Sequence, residues 1–290
     1  VLHLYAGYTG PGGYTAGEQI GQEVEAYGRA GFQTEVALCY RPADGGSAAD
    51  VAGFVQFVRA SVRSLAHEPG FVSVQVTNEV NVRNAPNASD GYYKGAEDAL
   101  ITGVIAAREV VRQDHDPAVK VGFNWAYQTD RAERAFWRYL ARVGGRRFVD
   151  AVDWVGLDAF PGTWGPALGP GDAAAATASF MNAALARLRS VYMPLARLPR
   201  SVSLRVTENG YPTGPGRTDA MQVTVMRAAV MAVYRDRRAY NVTGYRWFDL
   251  RDADSSSSSF ESQYGILHDD YSPKPAFSVY RDLVAELEAR

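Results

Sequence analysis

The sequence predicts an α/β fold with a parallel sheet and, of the two architectures in that class, the (β/α)8 barrel rather than the doubly wound open sheet. Three observations lead there. Short apolar runs alternate with longer segments of helical periodicity along all 290 residues. The first run leads into GYTGPGGYTAG at 7–17, which has neither the G-x-G-x-x-G spacing of a dinucleotide fold nor the Lys-Ser/Thr of a phosphate loop, and reads as a loop over one end of the sheet. Reactive side chains recur after many different runs, and a barrel builds its site in that way, from the C-terminal ends of several strands.

The runs are VLHLYA (1–6), TEVALCY (34–40), FVSVQVT (71–77), VKVGFNW (119–125), VDWVGLDAF (152–160), SVSLRVT (201–207) and TGYRWFDL (243–250). They are rich in β-branched and aromatic residues and almost continuously apolar, as strands buried on both faces must be. Between them, Phe54, Phe57, Val58, Val62 and Leu65 form one helical stripe and Leu100, Val104, Ile105 and Val111 another. The polar residues that follow the runs are Tyr40-Arg41, Asn78-Glu79, Asn124-Trp125, Asp158, Glu208-Asn209 and Trp247 to Asp249. No linker interrupts the rhythm, so a single domain over 1–290 is expected. The Pro/Gly-rich stretch 161–172 and the serines 255–259 read as long loops on the catalytic face.

Composition narrows the partners. Apolar residues at 47% and charged residues at 21% are those of a soluble globular chain. A net charge of −2 without a Lys/Arg cluster gives no field for a polyanion, so neither nucleic acid nor an anionic membrane is expected. No apolar run approaches the roughly 18–20 residues of a membrane helix. Cys39 is the single cysteine, which excludes an internal disulfide and a cysteine zinc site. His3, His67, His115 and His268 lack ligand spacing, and Asp252/Asp254 and Asp269/Asp270 lack the order of an EF-hand loop, so no metal and no cofactor is expected. The expected state is a monomer. The opening at Val1 displays no signal peptide and leaves a cytoplasmic location and a secreted one with the leader removed both open.

Two runs end in a glutamate beside an asparagine: VQVTNEVN, with Asn78 and Glu79, and LRVTENGYPT, with Glu208 and Asn209. Glycosidic bond cleavage wants two carboxyl groups on one rigid face, one to protonate the leaving oxygen and one to attack the anomeric carbon or activate water. With these motifs the chain resembles the clan A glycoside hydrolases, a superfamily of retaining (β/α)8-barrel enzymes. The resemblance implies that Glu79 is the acid/base and Glu208 the nucleophile, and that Asn78 donates to the sugar 2-hydroxyl. TENG (207–210) is similar to the nucleophile motif of the β-glucosidase family, although the chain is far too short for that family itself. TGYRWFDLRD (243–252) resembles the last strand of these barrels, which implies that Trp247 floors the sugar site, and the tail 263–284 resembles their closing helix. Val80 stands where many members have proline, and Phe160 where relatives often have tyrosine, so the hydroxyl partner of the nucleophile is missing or comes from another residue such as Tyr211. Trp125 and Trp164 can stack on a pyranose, and Asn124 and Asp158 are further substrate-binding candidates at strand ends.

The expected substrate is an oligo- or polysaccharide or a small glycoside, with the choice of sugar set by loops 161–172 and 252–262. Retention requires carboxyl groups about 5–5.5 Å apart, and that separation is expected of Glu79 and Glu208. Glu79 follows the third run and Glu208 the sixth, where the resemblance has the fourth and seventh strands. The expectation is therefore that Val1 begins strand two and that one strand precedes it. A barrel that binds carbohydrate or a protein partner without turnover is the alternative, since fold alone never excludes it. The presence of both glutamates argues against that alternative.

Overall fold

A computed structural model describes residues 1–11, 16–114, 118–164, 168–169 and 171–289, without the side chains of 16–18. His115 and parts of the loops 7–17 and 161–172 lie outside the described residues. The elements in chain order are β1 (Leu2–Tyr8), α1 (Ala16–Arg29), β2 (Thr34–Tyr40), α2 (Ala48–Leu65), β3 (Phe71–Val76), α3 (Ala96–Gln113), β4 (Lys120–Ala126), α4 (Arg131–Tyr139), α5 (Gly145–Val149), β5 (Trp154–Asp158), α6 (Ala173–Arg187), α7 (Met193–Leu195), β6 (Ser203–Glu208), α8 (Asp219–Tyr240), β7 (Val242–Tyr245) and α9 (Pro275–Glu288). The seven strands among the described residues match the seven apolar runs, and their order in the sheet is their order in sequence. Contacts group the chain into two compact units, Val1–Gly156 with Ser190–Ser203, and Leu157–Arg189 with Leu204–Arg290.

In the first unit β1, β2, β3 and β4 pair in parallel, with Leu2 opposite Thr34 and Tyr8 opposite Tyr40 at the two ends of the first ladder. The α2 stripe is buried as its spacing predicts, and Ser47 starts the helix by accepting the Asp50 N–H. Phe54 meets Tyr40 edge-on at 5.4 Å, while Tyr8 lies parallel to Tyr40 at 6.2 Å. The α3 stripe is rotated from the expected one: Leu100, Ile101, Val104, Val110 and Val111 are buried, and Ile105 is half-buried. Gly103 lets α3 approach β3, since a Cβ there would stand 2.7 Å from Val76 and 3.1 Å from Phe54. Trp154 packs over Gly122, where a Cβ would come within 2.2 Å of its ring, and donates its indole N–H to Ser73 Oγ at 3.0 Å.

The second unit holds the end of β5 with α6, β6, α8, β7 and α9. Its apolar core joins Val225, Met226 and Val230 of α8 to Ala276 and Leu283 of α9, with Tyr211, Trp247 and Ile266 completing it. β7 is shorter than the run 243–250, and its ladder to β6 shifts register between Leu204 and Arg205. Beyond it the backbone still clings to β6 through Arg246 N–H to Val206 O at 3.0 Å and Phe248 N–H to Asn209 O at 2.8 Å.

The segment between β7 and α9 is fastened by a buried ion pair. Lys274 Nζ lies 2.7 Å from the Asp252 carboxylate and 2.8 Å from Thr213 Oγ1, and Asp252 also accepts from the Gly265 N–H and the Ser255 hydroxyl. Asp252, one of the acidic residues weighed above as a cation ligand, is thus held by an ammonium group. Both charges are 1% exposed. Removing one partner leaves the other charge buried and uncompensated, so Lys274→Met is expected to cost roughly 3–5 kcal/mol of unfolding free energy. Urea denaturation at neutral pH measures this, and a loss below about 1 kcal/mol would contradict it. No helix among the described residues is long and apolar enough to cross a membrane.

Candidate active site

In the first unit the chain leaves β3 through two residues of unusual backbone. Thr77 (φ 65°) and Glu79 (φ 48°) both adopt the left-handed region, on either side of Asn78. For non-glycine residues this costs of order 1–3 kcal/mol each and persists only where the surroundings over-determine it. They do so here. The Thr77 N–H donates to Leu38 O at 2.9 Å, and the Glu79 N–H donates to Asn124 Oδ1 at 2.8 Å. Asn124 Nδ2 then donates to Asn78 Oδ1 at 2.7 Å, so one amide at the end of β4 ties both residues of the Asn-Glu pair. The Asn81 amide donates to the Ala126 carbonyl at 2.9 Å and accepts the Ala126 N–H at 3.1 Å, and it also donates to Glu133 Oε1 at 3.2 Å. Asn124 and Asn78 are buried and Glu79 is half-buried. The Asn78 amide also accepts from Gln75 at 3.3 Å and donates to Ala88 O at 2.9 Å, which leaves one Nδ2 hydrogen without an acceptor among the described residues.

A carboxylate with no signature in the sequence completes this half. Asp90 accepts the N–H of Tyr40 at 2.6 Å and that of Asn78 at 2.8 Å on one oxygen, and Arg41 Nε at 3.2 Å on the other. Burial pushes its pKa up to about 7, against the pull of these donors. A carboxyl raised above its unfolded value contributes stability that is fully present below about pH 4 and is lost as the pH rises through about 7. The wild-type Tm is therefore expected to fall more between pH 5 and pH 8 than that of Asp90→Asn, which has no proton to release. Equal falls in calorimetry at the two pH values would refute the assignment.

Trp125 corrects one expectation. Its ring is fully buried against Tyr192 at 5.0 Å and Trp137 at 6.0 Å, and its indole N–H donates to the buried Glu133 carboxylate at 2.5 Å. Strand alternation turns it toward the helices, so it offers no face to a sugar.

In the second unit Glu208 is the last residue of β6 and is 8% exposed. Its carbonyl accepts the Ala159 N–H at 2.9 Å, and the preceding Thr207 donates its hydroxyl to Asp158 Oδ1 at 2.6 Å. Asn209 follows with Nδ2 on Ala159 O at 2.5 Å and Oδ1 accepting from the Tyr245 hydroxyl at 2.6 Å. The glycine of TENG has a steric reason: a Cβ on Gly210 would stand 2.1 Å from Phe248 O. Through Asp158, Asn209 and Tyr245 the end of β6 is thus tied to the strands on either side.

Two further expectations are corrected in this unit. Trp247 belongs to the core beneath α8 and α9, as does Tyr245, because residues two apart on an extended chain share a face. The opposite face carries Arg246 and Phe248. The half-buried Phe248 ring meets Tyr264 at 5.4 Å and Phe160 at 5.9 Å, an aromatic group the sequence reading missed. Tyr211, the candidate hydroxyl donor to the nucleophile, is packed in the same core as Trp247, with the Arg217 guanidinium 4.9 Å over its ring. Trp164 is 64% exposed, 5.6 Å from Phe260, and presents an open aromatic face.

No protein-family model matches the chain, and no curated protein matches it. Solved structures do. GH5_18 from Streptomyces cattleya in complex with GlcNAc aligns over 94% of this chain with a TM-score of 0.66 and 19% identity. A beta-glucosidase from Exiguobacterium marinum aligns over 99% with a TM-score of 0.63 and 16% identity, spanning 84% of that protein. The beta-glycosidase from Thermosphaera aggregans aligns over 95% with a TM-score of 0.63 and 15% identity, spanning 73% of that protein. The chain spans 66% of the length of the Streptomyces protein. These are clan A glycoside hydrolases, and the likeness shows the fold: the chain has the TIM-barrel α/β architecture that its sequence predicts.

Proposed function

We propose that this protein is a retaining glycoside hydrolase that cleaves O-glycosidic bonds by double displacement on a single catalytic domain. Glu208 attacks the anomeric carbon while Glu79 gives its proton to the departing oxygen, which forms a glycosyl ester on Glu208 and frees the first product. Glu79, now a carboxylate, takes a proton from water, the water oxygen attacks the same carbon, and Glu208 leaves. Only protons and a glycosyl group move, so the scheme invokes no cofactor. The half-buried Phe248 ring takes the apolar face of the sugar in place of Trp247, the remaining Asn78 amide hydrogen meets a sugar hydroxyl, and Trp164 serves a more distant ring of an oligosaccharide.

The observation that carries this reading is the backbone at the two glutamates. Each lies at the C-terminal end of a strand, where this fold assembles its chemistry. Asn124 accepts the Glu79 N–H, and Asn209, next to Glu208, donates to the Ala159 carbonyl on the neighbouring strand's end. The glycosidase neighbours support the same class of substrate. A panel of aryl β-glycosides, including the glucoside, N-acetylglucosaminide, mannoside and glucuronide, is expected to contain at least one that turns over. NMR of the first-formed sugar should show the β anomer. Inverted product would remove double displacement, and tight sugar binding without turnover on any member would favour a carbohydrate-binding barrel.

A further inference from the structure

Asp90 lies twelve positions beyond Asn78, outside every motif, yet it bonds directly to the backbone that presents Glu79. It bonds Asn78 reciprocally, Asn78 N–H to its carboxylate and its own N–H to Asn78 O, both at 2.8 Å. The same carboxylate oxygen holds the Tyr40 N–H at the end of β2, so one buried group fixes the ends of two neighbouring strands. Its neighbours wedge the same segment. The Ser89 hydroxyl stands 2.6 Å from the carbonyls of both Glu79 and Val82, and a Cβ on Gly91 would lie 2.3 Å from Val80 O. Arg41 extends the clamp from Asp90 to the carbonyls of Asn87 and Ala88, at 3.3 and 3.0 Å. The Ala88 carbonyl is also the acceptor of the Asn78 amide.

We propose that Asp90, with Arg41 behind it, is a positioning residue for the acid/base: it holds the left-handed backbone at Thr77 and Glu79 and thereby aims the Glu79 carboxyl at the leaving-group oxygen. This rests on the reading of Glu79 given above. A carboxyl that only supports the fold would, on loss, slow all substrates alike. A carboxyl that aims the acid affects only substrates that need the proton.

The test compares kcat/KM on two glycosides of one sugar, a dinitrophenyl glycoside whose leaving group needs little protonation and a methylumbelliferyl or sugar aglycone that needs much. Asp90→Asn can keep an acceptor for the two N–H groups and loses the charge that holds Arg41. It is expected to lower kcat/KM about ten- to a hundredfold on the poor leaving group, as a displacement near 1 Å does, and less than about threefold on the good one. Arg41→Lys keeps the charge and loses the fork to Asn87 and Ala88, and it should give the same pattern, weaker. It supplies the measurement if Asp90→Asn fails to fold. Equal losses on both substrates, or no loss on either, would overturn the proposal while leaving the acid role of Glu79 intact. Glu79→Ala, run alongside, tests the parent reading separately: insensitivity of that variant to the leaving group would remove both.

Discussion

Glu208→Ala is expected to lower kcat by several orders of magnitude on every substrate, good and poor leaving groups alike. In the proposed mechanism this residue supplies the carbon–oxygen bond of the intermediate, so its loss removes the covalent route itself. At about 1.36 kcal/mol per tenfold, a loss of a thousandfold corresponds to about 4 kcal/mol of transition-state stabilisation. The variant should still fold, because the end of β6 is also braced through the main-chain carbonyl of position 208 and through Asn209 and Thr207, all of which the substitution keeps. Azide added to the variant can enter from the face that the carboxylate vacates, and the glycosyl azide formed should have inverted configuration. Retained configuration would give the nucleophile's role to another residue, and unchanged kcat in a folded variant would take Glu208 out of the chemistry.

The candidate residues of each unit that a sequence displays are those encoded locally. Asn78, Glu79, Glu208 and Asn209 each follow an apolar run directly, so strand period alone puts them at strand ends. Aromatic roles were harder to read for a physical reason. Trp247 and Phe248 are adjacent, a strand sends adjacent side chains to opposite faces, and nothing in YRWFDL says which face is inward until β7 has a partner. Tyr211 and Trp125 failed in the same way, as aromatic residues near a strand end that α8, α9 or the α4 region claims for packing. Asp90 and Arg41 were invisible as a pair because their meeting depends on the path of the 80–95 loop. Arg41 had only its position after β2, and Asp90 had no signal at all. Gly210 is the opposite case, since a glycine after Glu-Asn marks close approach, although not what approaches.

Glu79→Ala should separate substrates that Glu208→Ala does not. kcat/KM reports the first irreversible step, in which the proposed mechanism has Glu79 act as an acid, and protonation matters in proportion to the basicity of the leaving oxygen. On a dinitrophenyl glycoside kcat/KM is expected to stay within about threefold of wild type, while on a sugar leaving group it should fall roughly 10²–10⁴-fold. The second step loses its general base, so the glycosyl-enzyme accumulates on good substrates: kcat falls, KM falls with it, and a burst of dinitrophenolate precedes the steady state. Azide needs no deprotonation to attack that intermediate, so it should restore kcat and yield a glycosyl azide of retained configuration. That outcome is the mirror of the Glu208→Ala result and fixes the order of events, the enzyme ester forming before the step that Glu79 catalyses as a base. An inverted azide from Glu79→Ala would exchange the two roles, and a uniform loss across leaving groups would leave Glu79 as a residue of the fold alone.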